Sequence, residues 1–235
     1  MMASACSLPT PGTATNGIHT AANPWPSLGL LGLVGNWAQR LTELRIDVDL
    51  SGRDIQREFD ALYDRIRTNH RTRDAIRPLP LHLRGLVFRL READGEYFVY
   101  AIDPLRNRIA AYTVFNRLVE VDRRTARHLR APHTKVAHGY RRMGIATAIY
   151  RWWLDSGRCL MTGARQSAGA HGLWMALARD YELAAVRIDA NKRVQQLPMP
   201  PPPGFFDALD TRLVLVGREC RLADFTQPVD PVPDR

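Results

Sequence analysis

One stretch, from Thr134 to Asp155, limits most strongly what this chain can fold into. A short extended segment ending near Ala137 leads into a polar, basic turn, and Gly144 then opens a helical segment. The apolar residues of that segment recur at helical spacing: Ile145, Ile149, Trp152 and Trp153. Ser156 and Gly157 end it. A strand, a glycine turn and a helix start together present unpaired backbone N–H groups, which predicts a phosphate or pyrophosphate site.

The turn itself carries residues suited to an anion. Gly144 has no Cβ, so a ligand can approach its backbone closely. Arg141 and Arg142 add fixed positive charge and several donors beside it. Taken alone, these residues also fit an ordinary basic turn in front of a core helix.

A family resemblance extends this interpretation. The run Arg141-Arg142-Met143-Gly144-Ile145-Ala146 resembles the R-x-x-G-x-(G/A) signature of the GNAT family of acetyl-CoA-dependent N-acetyltransferases. The segment YRRMGIATAIY, followed by QSAGAHGLW, is similar to sequences of small GNAT-like proteins of bacteriophages and prophages. The resemblance implies acetyl-CoA as co-substrate, with Val136 and Ala137 making main-chain contacts to its pantetheine arm. It assigns the pyrophosphate to seven consecutive residues: Arg141, Arg142, Met143, Gly144, Ile145, Ala146 and Thr147.

A later helix start also maps onto the family. Many members have Asn there, Ala three residues on and Tyr seven residues on, whereas this chain has Ser167, Ala170 and Trp174. Ser167 would cap the helix and reach the cofactor arm. In the family, this Tyr often protonates the thiolate that leaves as CoA. An indole cannot do so, and we interpret Trp174 as a core aromatic. The proton source stays open: another group, unassisted departure of the thiolate, or a protein that is not a standard acetyltransferase.

The implied reaction needs a group that takes a proton from the amine. Glu120 is the first candidate, because it is the acid in an otherwise apolar run, Leu118 to Val121, of a predicted strand. His138 at the mouth of the motif is the second candidate, since imidazole titrates near neutrality. A surface carboxylate and a solvated imidazole are the ordinary alternatives.

Hydrophobic periodicity outlines the remaining elements. We predict a helix from Ser51, whose apolar stripe is Ile55, Phe59, Leu62 and Ile66. We also predict helices from Gly144 and from Gln166 or Ser167, and an Asp94-Gly95 hairpin turn. Predicted strands cover 41–50, 83–91, 97–102, 109–121, a segment ending near 137, 159–162, 183–188 and 213–216. Residues 70–78 and 122–133 are predicted basic connections, and 198–203 a proline loop. This order is similar to the GNAT fold, an α+β class with a central mixed, mainly antiparallel, splayed sheet flanked by helices.

The outer parts of the chain differ in composition from this core. We predict a disordered or loosely docked extension over 1–39, one domain over 40–223 and a flexible tail over 224–235. The apolar run Leu28 to Val34 is too short to span a bilayer. Three scattered cysteines form no metal-binding spacing and favour a reducing compartment, so we expect a cytoplasmic protein without a metal site.

The net charge of +9 supports an alternative function, because it favours polyanionic partners. The alternative to the enzyme is a non-enzymatic basic protein of the same fold, a phage-borne inhibitor or a nucleic-acid-binding module. The charge and Trp174 favour this alternative, while the intact arginine–glycine turn favours the enzyme. Aromatic residues are not interleaved with basic ones as in nucleic-acid modules, and no P-loop is present. The acceptor, a small-molecule or protein amine, and the oligomeric state stay open.

Overall fold

The computed structural model describes residues 52–68 and 75–227. The predicted strand over 41–50, the extension over 1–39 and most of the predicted tail lie outside this part of the chain. The described helices are α1 (Gly52–Thr68), α2 (Ile145–Asp155) and α3 (Ala168–Leu177). The described strands are β1 (Ile76–Leu83), β2 (Leu86–Ala93), β3 (Glu96–Asp103), β4 (Arg108–Asn116), β5 (Leu129–Val136), β6 (Cys159–Met161), β7 (Leu183–Ile188), β8 (Val194–Leu197) and β9 (Thr211–Leu215).

These strands form one mixed sheet in the order β1-β2-β3-β4-β5-β6-β9-β7-β8. Every neighbouring pair is antiparallel except β5 and β6, which are parallel and joined through α2. Parallel neighbours need such a crossover, because the chain must return to the same end of the sheet. The predicted α+β class with a mainly antiparallel sheet is therefore confirmed.

Helices α1 and α2 cover opposite faces of this sheet. Phe59 of α1 is 1% exposed and meets the ring of Tyr112 edge-on at 5.7 Å. Trp153 of α2 stacks on Phe115 at 4.0 Å. Tyr112 and Phe115 are three residues apart on β4, and side chains alternate along a strand, so the two rings point to opposite faces. The apolar stripes predicted for both helices are the surfaces that pack on the sheet.

Edge strands account for two errors in the predicted order. β1 occupies 76–83, which overlaps the predicted basic connection, and β2 starts at Leu86 rather than Leu83. Pro78 and Pro80 argue against a central strand, but an edge strand tolerates proline, and the register of β1 is broken beside Pro78. β8 has only four residues, too few for alternation to stand out.

The predicted long third strand is wrong at its far end. β4 stops at Asn116, and the chain then turns before Asp122, whose carboxylate accepts N–H bonds from Arg124 and Thr125. Leu118 and Val121 are nevertheless buried, so their apolar character reflects a packed loop. β5 begins at Leu129, inside the stretch predicted as a connection.

Candidate functional site

The parallel pair β5 and β6 separates almost as soon as it forms. Only two residue pairs join the strands, Leu129 with Cys159 and Arg130 with Leu160. On its other side β5 stays paired with β4 through Val136. From 131 to 136, the edge of β5 that faces β6 therefore has no strand partner among the described residues. The predicted splay of the sheet is confirmed by this register.

After β5, the chain makes a tight turn that hydrogen bonds to β3 and β4 hold in place. A short 3-10 helix, His138–Tyr140, follows Ala137, whose N–H donates to the carbonyl of Ala110 at 2.9 Å. The Tyr140 hydroxyl donates to Asp103 Oδ2 at 2.7 Å, and Arg106 Nη1 donates to the same oxygen at 2.8 Å. The bonds from Tyr140 and then Arg106 hold the pKa of Asp103 well below its usual range. The turn is thus tied to the β3–β4 connection.

The turn ends at an open helix start. Gly144 precedes α2 with φ +79, and no side chain among the described residues caps this end. The first intrahelical bond runs from the Ala148 N–H to the Gly144 carbonyl at 2.9 Å, so the N–H groups of 145–147 lack an intrahelical acceptor. Gly144 is exposed, and a Cβ placed on it meets nothing within 4 Å. The backbone at Gly144 is therefore open to approach.

Positive charge surrounds the same point. Arg141 and Arg142 are exposed, and neither forms an ion pair with another described residue. Arg142 has φ +60, a left-handed conformation that turns the chain toward Gly144. Free N–H groups, a positive helix end and two guanidinium groups form a place where a diphosphate fits. The structure brings together the predicted residues from Val136 to Thr147.

The second predicted helix start is also present. Ser167 caps α3, and its Oγ accepts from the Ala170 N–H at 3.2 Å. Trp174 is 2% exposed, which fits its interpretation as a core aromatic. His171, between them, is 4% exposed and meets Phe206 edge-on at 5.8 Å. Both of its ring nitrogens lack a hydrogen-bond partner in the described structure, and burial lowers its pKa.

The two predicted proton acceptors lie apart. His138 is exposed in the motif turn. Glu120 is not on a strand: it follows the end of β4 and accepts from Arg212 Nε at 3.2 Å. Its neighbours Leu118 and Val121 pack with Leu129, at the end of β5 that is remote from the turn. Because β4 ends at Asn116, the strand placement that singled out Glu120 is wrong. No contact among the described residues joins Glu120 to the turn.

A polar cluster that the sequence patterns do not predict lies on the α1 face of the sheet. Lys135 Nζ donates to both oxygens of Glu58, at 2.9 and 2.7 Å, and the Tyr112 hydroxyl donates to Glu58 Oε1 at 2.5 Å. Burial opposes ionisation of Glu58, but the bonds from Lys135 and Tyr112 hold its pKa below the usual value. Burial, and then the charge of Lys135, lowers the pKa of His133. Alternation of His133 and Lys135 along β5 is the sequence signal for this cluster, but the predicted connection over 122–133 includes His133.

Comparison with known proteins gives little further guidance. No protein-family model matches the sequence, and no curated protein matches it. One similar solved structure is a GNAT superfamily phosphinothricin acetyltransferase from Sinorhizobium meliloti in complex with AcCoA, with 20% identity, 59% of this chain and 69% of that chain covered, and a TM-score of 0.31. Another is smu.2055 from Streptococcus mutans UA159, with 11% identity, coverage of 79% and 93%, and a TM-score of 0.32. TM-scores this low establish no shared fold, and neither likeness bears on the resemblance to phage proteins.

None of the helices among the described residues is long and apolar enough to cross a bilayer. No group of three or more His, Cys, Asp or Glu side chains in this part of the chain is placed to hold a metal ion.

Proposed function

We propose that this protein is an acyl-CoA-dependent N-acetyltransferase that moves an acetyl group from acetyl-CoA to an amine. One observation carries the proposal: the free edge of β5 leads directly into an uncapped helix start at Gly144. A free strand edge offers main-chain donors and acceptors to an extended amide-containing arm. The helix start offers N–H groups to a diphosphate. Pantetheine and pyrophosphate follow one another in coenzyme A in the same order.

The residues at this place would divide the work by chemistry. Val136 and Ala137 would bind the pantetheine arm through their main chain, with Ser167 reaching it from α3. The turn from Arg141 to Thr147 would hold the pyrophosphate through backbone N–H groups and guanidinium donors. Because the Gly144 position is open and exposed, a ligand can approach its backbone without displacing protein.

His133 is the proton acceptor in this proposal. It lies on β5 within the part that has a free edge, and burial and the charge of Lys135 lower the pKa of its imidazole, which favours the neutral form. A neutral imidazole can accept a proton from the amine as the amine nitrogen attacks the acetyl carbon. His138 is the alternative acceptor, and Glu120 is held by Arg212 away from the turn. Thiols have a pKa of about 8.5, so the thiolate can leave without the hydroxyl that Trp174 lacks.

A non-enzymatic basic protein is the second candidate. The net charge of +9 and the buried indole at position 174 favour it. A nucleic-acid binder of this kind would shift DNA or RNA at low salt and lose affinity steeply as salt rises.

Release of free CoA thiol from acetyl-CoA, followed over a panel of polyamines, aminoglycosides, amino acids and lysine peptides, tests the proposal. His133→Gln should lower kcat about 100-fold, the effect of losing a general base. His82→Gln, at an exposed histidine of β1, is the matched control and should keep full activity. A chain that neither binds acetyl-CoA nor releases CoA with any amine would refute the enzyme, and salt-sensitive nucleic-acid binding would then support the second candidate.

A further inference from the structure

A cavity of about 520 Å³ lies under α1, on the face of the sheet opposite α2. Its walls come from one side of α1 and from β2, β3 and β4. Cavities of this size hold small organic ligands. The motif turn and α2 do not contribute to it, so it is separate from the place assigned to coenzyme A.

One end of the cavity is cationic and incompletely bonded. Arg65 of α1 and Arg91 of β2 both line it. The guanidinium of Arg91 lies 5.5 Å from the centre of the Phe98 ring, and its Nε is buried without a hydrogen-bond partner in the described structure. A buried N–H without an acceptor is unfavourable, and a guanidinium is shaped to take a carboxylate through two parallel bonds. This end therefore suits a ligand carboxylate.

The body of the cavity is apolar and aromatic. Phe98, Tyr100 and Tyr112 supply rings from two adjacent strands, and Leu62 and Ile66 face them from α1. Such walls suit a hydrocarbon or aromatic side chain.

The other end of the cavity carries the Glu58 carboxylate, which is paired with Lys135, and leads toward β5. Glu58 and Tyr112 both line the cavity, and both belong to the cluster that includes Lys135. Tyr112 pairs across the strands with Lys135, and Val114 of the cavity wall pairs with His133. An ammonium group placed near Glu58 therefore lies beside β5. The edge of β5 that is turned away from β4 is the free one.

We propose that the cavity binds the acceptor, and that the acceptor is a primary amine bearing a carboxylate and an apolar side chain, the chemistry of a hydrophobic amino acid. This identification of the acceptor rests on the proposed acetyl transfer. The carboxylate lies on Arg91 and Arg65, and the amine points toward Glu58 and His133. In the reaction the amine nitrogen forms a bond to the acetyl carbon, the C–S bond breaks with its electron pair going to sulfur, and a proton of the amine passes to His133.

Binding without acetyl-CoA tests recognition separately from turnover. The full chain is titrated by calorimetry with L-phenylalanine and L-leucine, with their decarboxylated amines 2-phenylethylamine and isopentylamine, and with 3-phenylpropionate, which lacks the amine. The amino acids should bind at least about 10-fold more tightly than their decarboxylated amines, the scale of a lost charge-assisted bond. Equal affinity for amino acid and amine, or no binding by either amino acid, would overturn the proposal.

Variants then assign the carboxylate end. Arg91→Met should bring the affinity for L-phenylalanine down to that for 2-phenylethylamine and leave the latter unchanged. Its melting temperature is measured in parallel, because the variant removes the guanidinium contact with Phe98 together with the unpartnered N–H, and a folded variant is required for the comparison. Arg65→Gln, at an exposed position, should weaken the amino acid in the same direction, and Arg67→Gln, exposed on the same helix but outside the cavity, should not. Unchanged amino-acid affinity in both cavity variants would contradict the assignment.

Turnover separates this proposal from the proposed function. Acetylation of polyamines or lysine peptides, with kcat and KM indifferent to Arg91→Met, would overturn the amino-acid acceptor while supporting acetyl transfer. Carboxylate-dependent binding of amino acids in a chain that does not bind acetyl-CoA would support the cavity as a recognition site and refute acetyl transfer.

Discussion

Substitution of Gly144 has effects on stability and on ligand affinity that can be calculated separately. Gly144 has φ +79, and Gly85, in the β1–β2 turn, has φ +74; a Cβ at either position meets nothing within 4 Å. An L-residue in this left-handed conformation costs about 1–2 kcal/mol. Gly144→Ala and Gly85→Ala should therefore each lower the melting temperature by about 2–8 °C, at roughly 2–4 °C per kcal/mol for a chain of this length.

Glutamate separates the two positions. At Gly144 the new carboxylate faces the positive end of α2, and this interaction stabilises the folded protein by about 0.3–1 kcal/mol. Gly144→Glu should therefore be less destabilising than Gly85→Glu. The same carboxylate would repel a diphosphate. At about 5 Å, each pair of unit charges interacts with about 0.8 kcal/mol in water and about 3 kcal/mol at an effective dielectric constant of 20. Two phosphate charges therefore predict an affinity loss of about 10-fold or more.

Thermal unfolding and calorimetry with acetyl-CoA measure the two effects on the same four variants. We expect both Gly85 variants to bind acetyl-CoA like the wild type. We expect Gly144→Glu to bind at least about 10-fold more weakly, with the difference shrinking as salt is added. Undiminished binding by Gly144→Glu, or an equal loss in Gly85→Glu, would refute the assignment of the helix start to the diphosphate.

The structure makes further predictions outside the turn. Burial lowers the pKa of His171, so its contribution to stability is fully present above about pH 6.5 and is lost as the pH falls from there toward the folded-state pKa; His171→Leu should flatten that part of the stability–pH curve measured by urea unfolding. Tyr112→Phe removes the bond to the partly exposed Glu58 and should cost about 1 kcal/mol in the same assay, with no change indicating that the bond contributes nothing. Glu120→Gln should leave kcat for CoA release unchanged, and a 100-fold fall would restore Glu120 as the base. Trp153→Ala should cost about 3–5 kcal/mol in urea unfolding, because the indole is 1% exposed and stacked; a cost below about 1 kcal/mol would contradict its place in the core.

Local signals in the sequence were sufficient to predict those elements that bury a single face. The stripe of α1 and the arginine–glycine turn before α2 could be read directly, since helical spacing and a left-handed glycine leave distinct patterns. The Asp94-Gly95 turn is a similar case, with φ of 56 and 74 at its two residues. These features depend on neighbours along the chain.

Features that depend on distant neighbours could not be read in the same way. Glu120 looked like an acid within a strand, but its apolar neighbours are buried by a cluster around Leu129, and its carboxylate is held by Arg212. The cavity under α1 is likewise invisible in the sequence, because Arg65 and Arg91 meet only when α1 packs on the sheet. A break in periodicity shows where a strand cannot continue, but only tertiary contacts show what replaces it.

Backbone amide resonances of the full chain, followed by NMR during titration with acetyl-CoA, test the central claim most directly. The account predicts saturable shifts at Gly144–Thr147 and along the free edge of β5 at 131–136. It predicts no shifts at the equally open Gly85 turn. Saturation without shifts at the start of α2, or no saturable binding at all, would contradict the account.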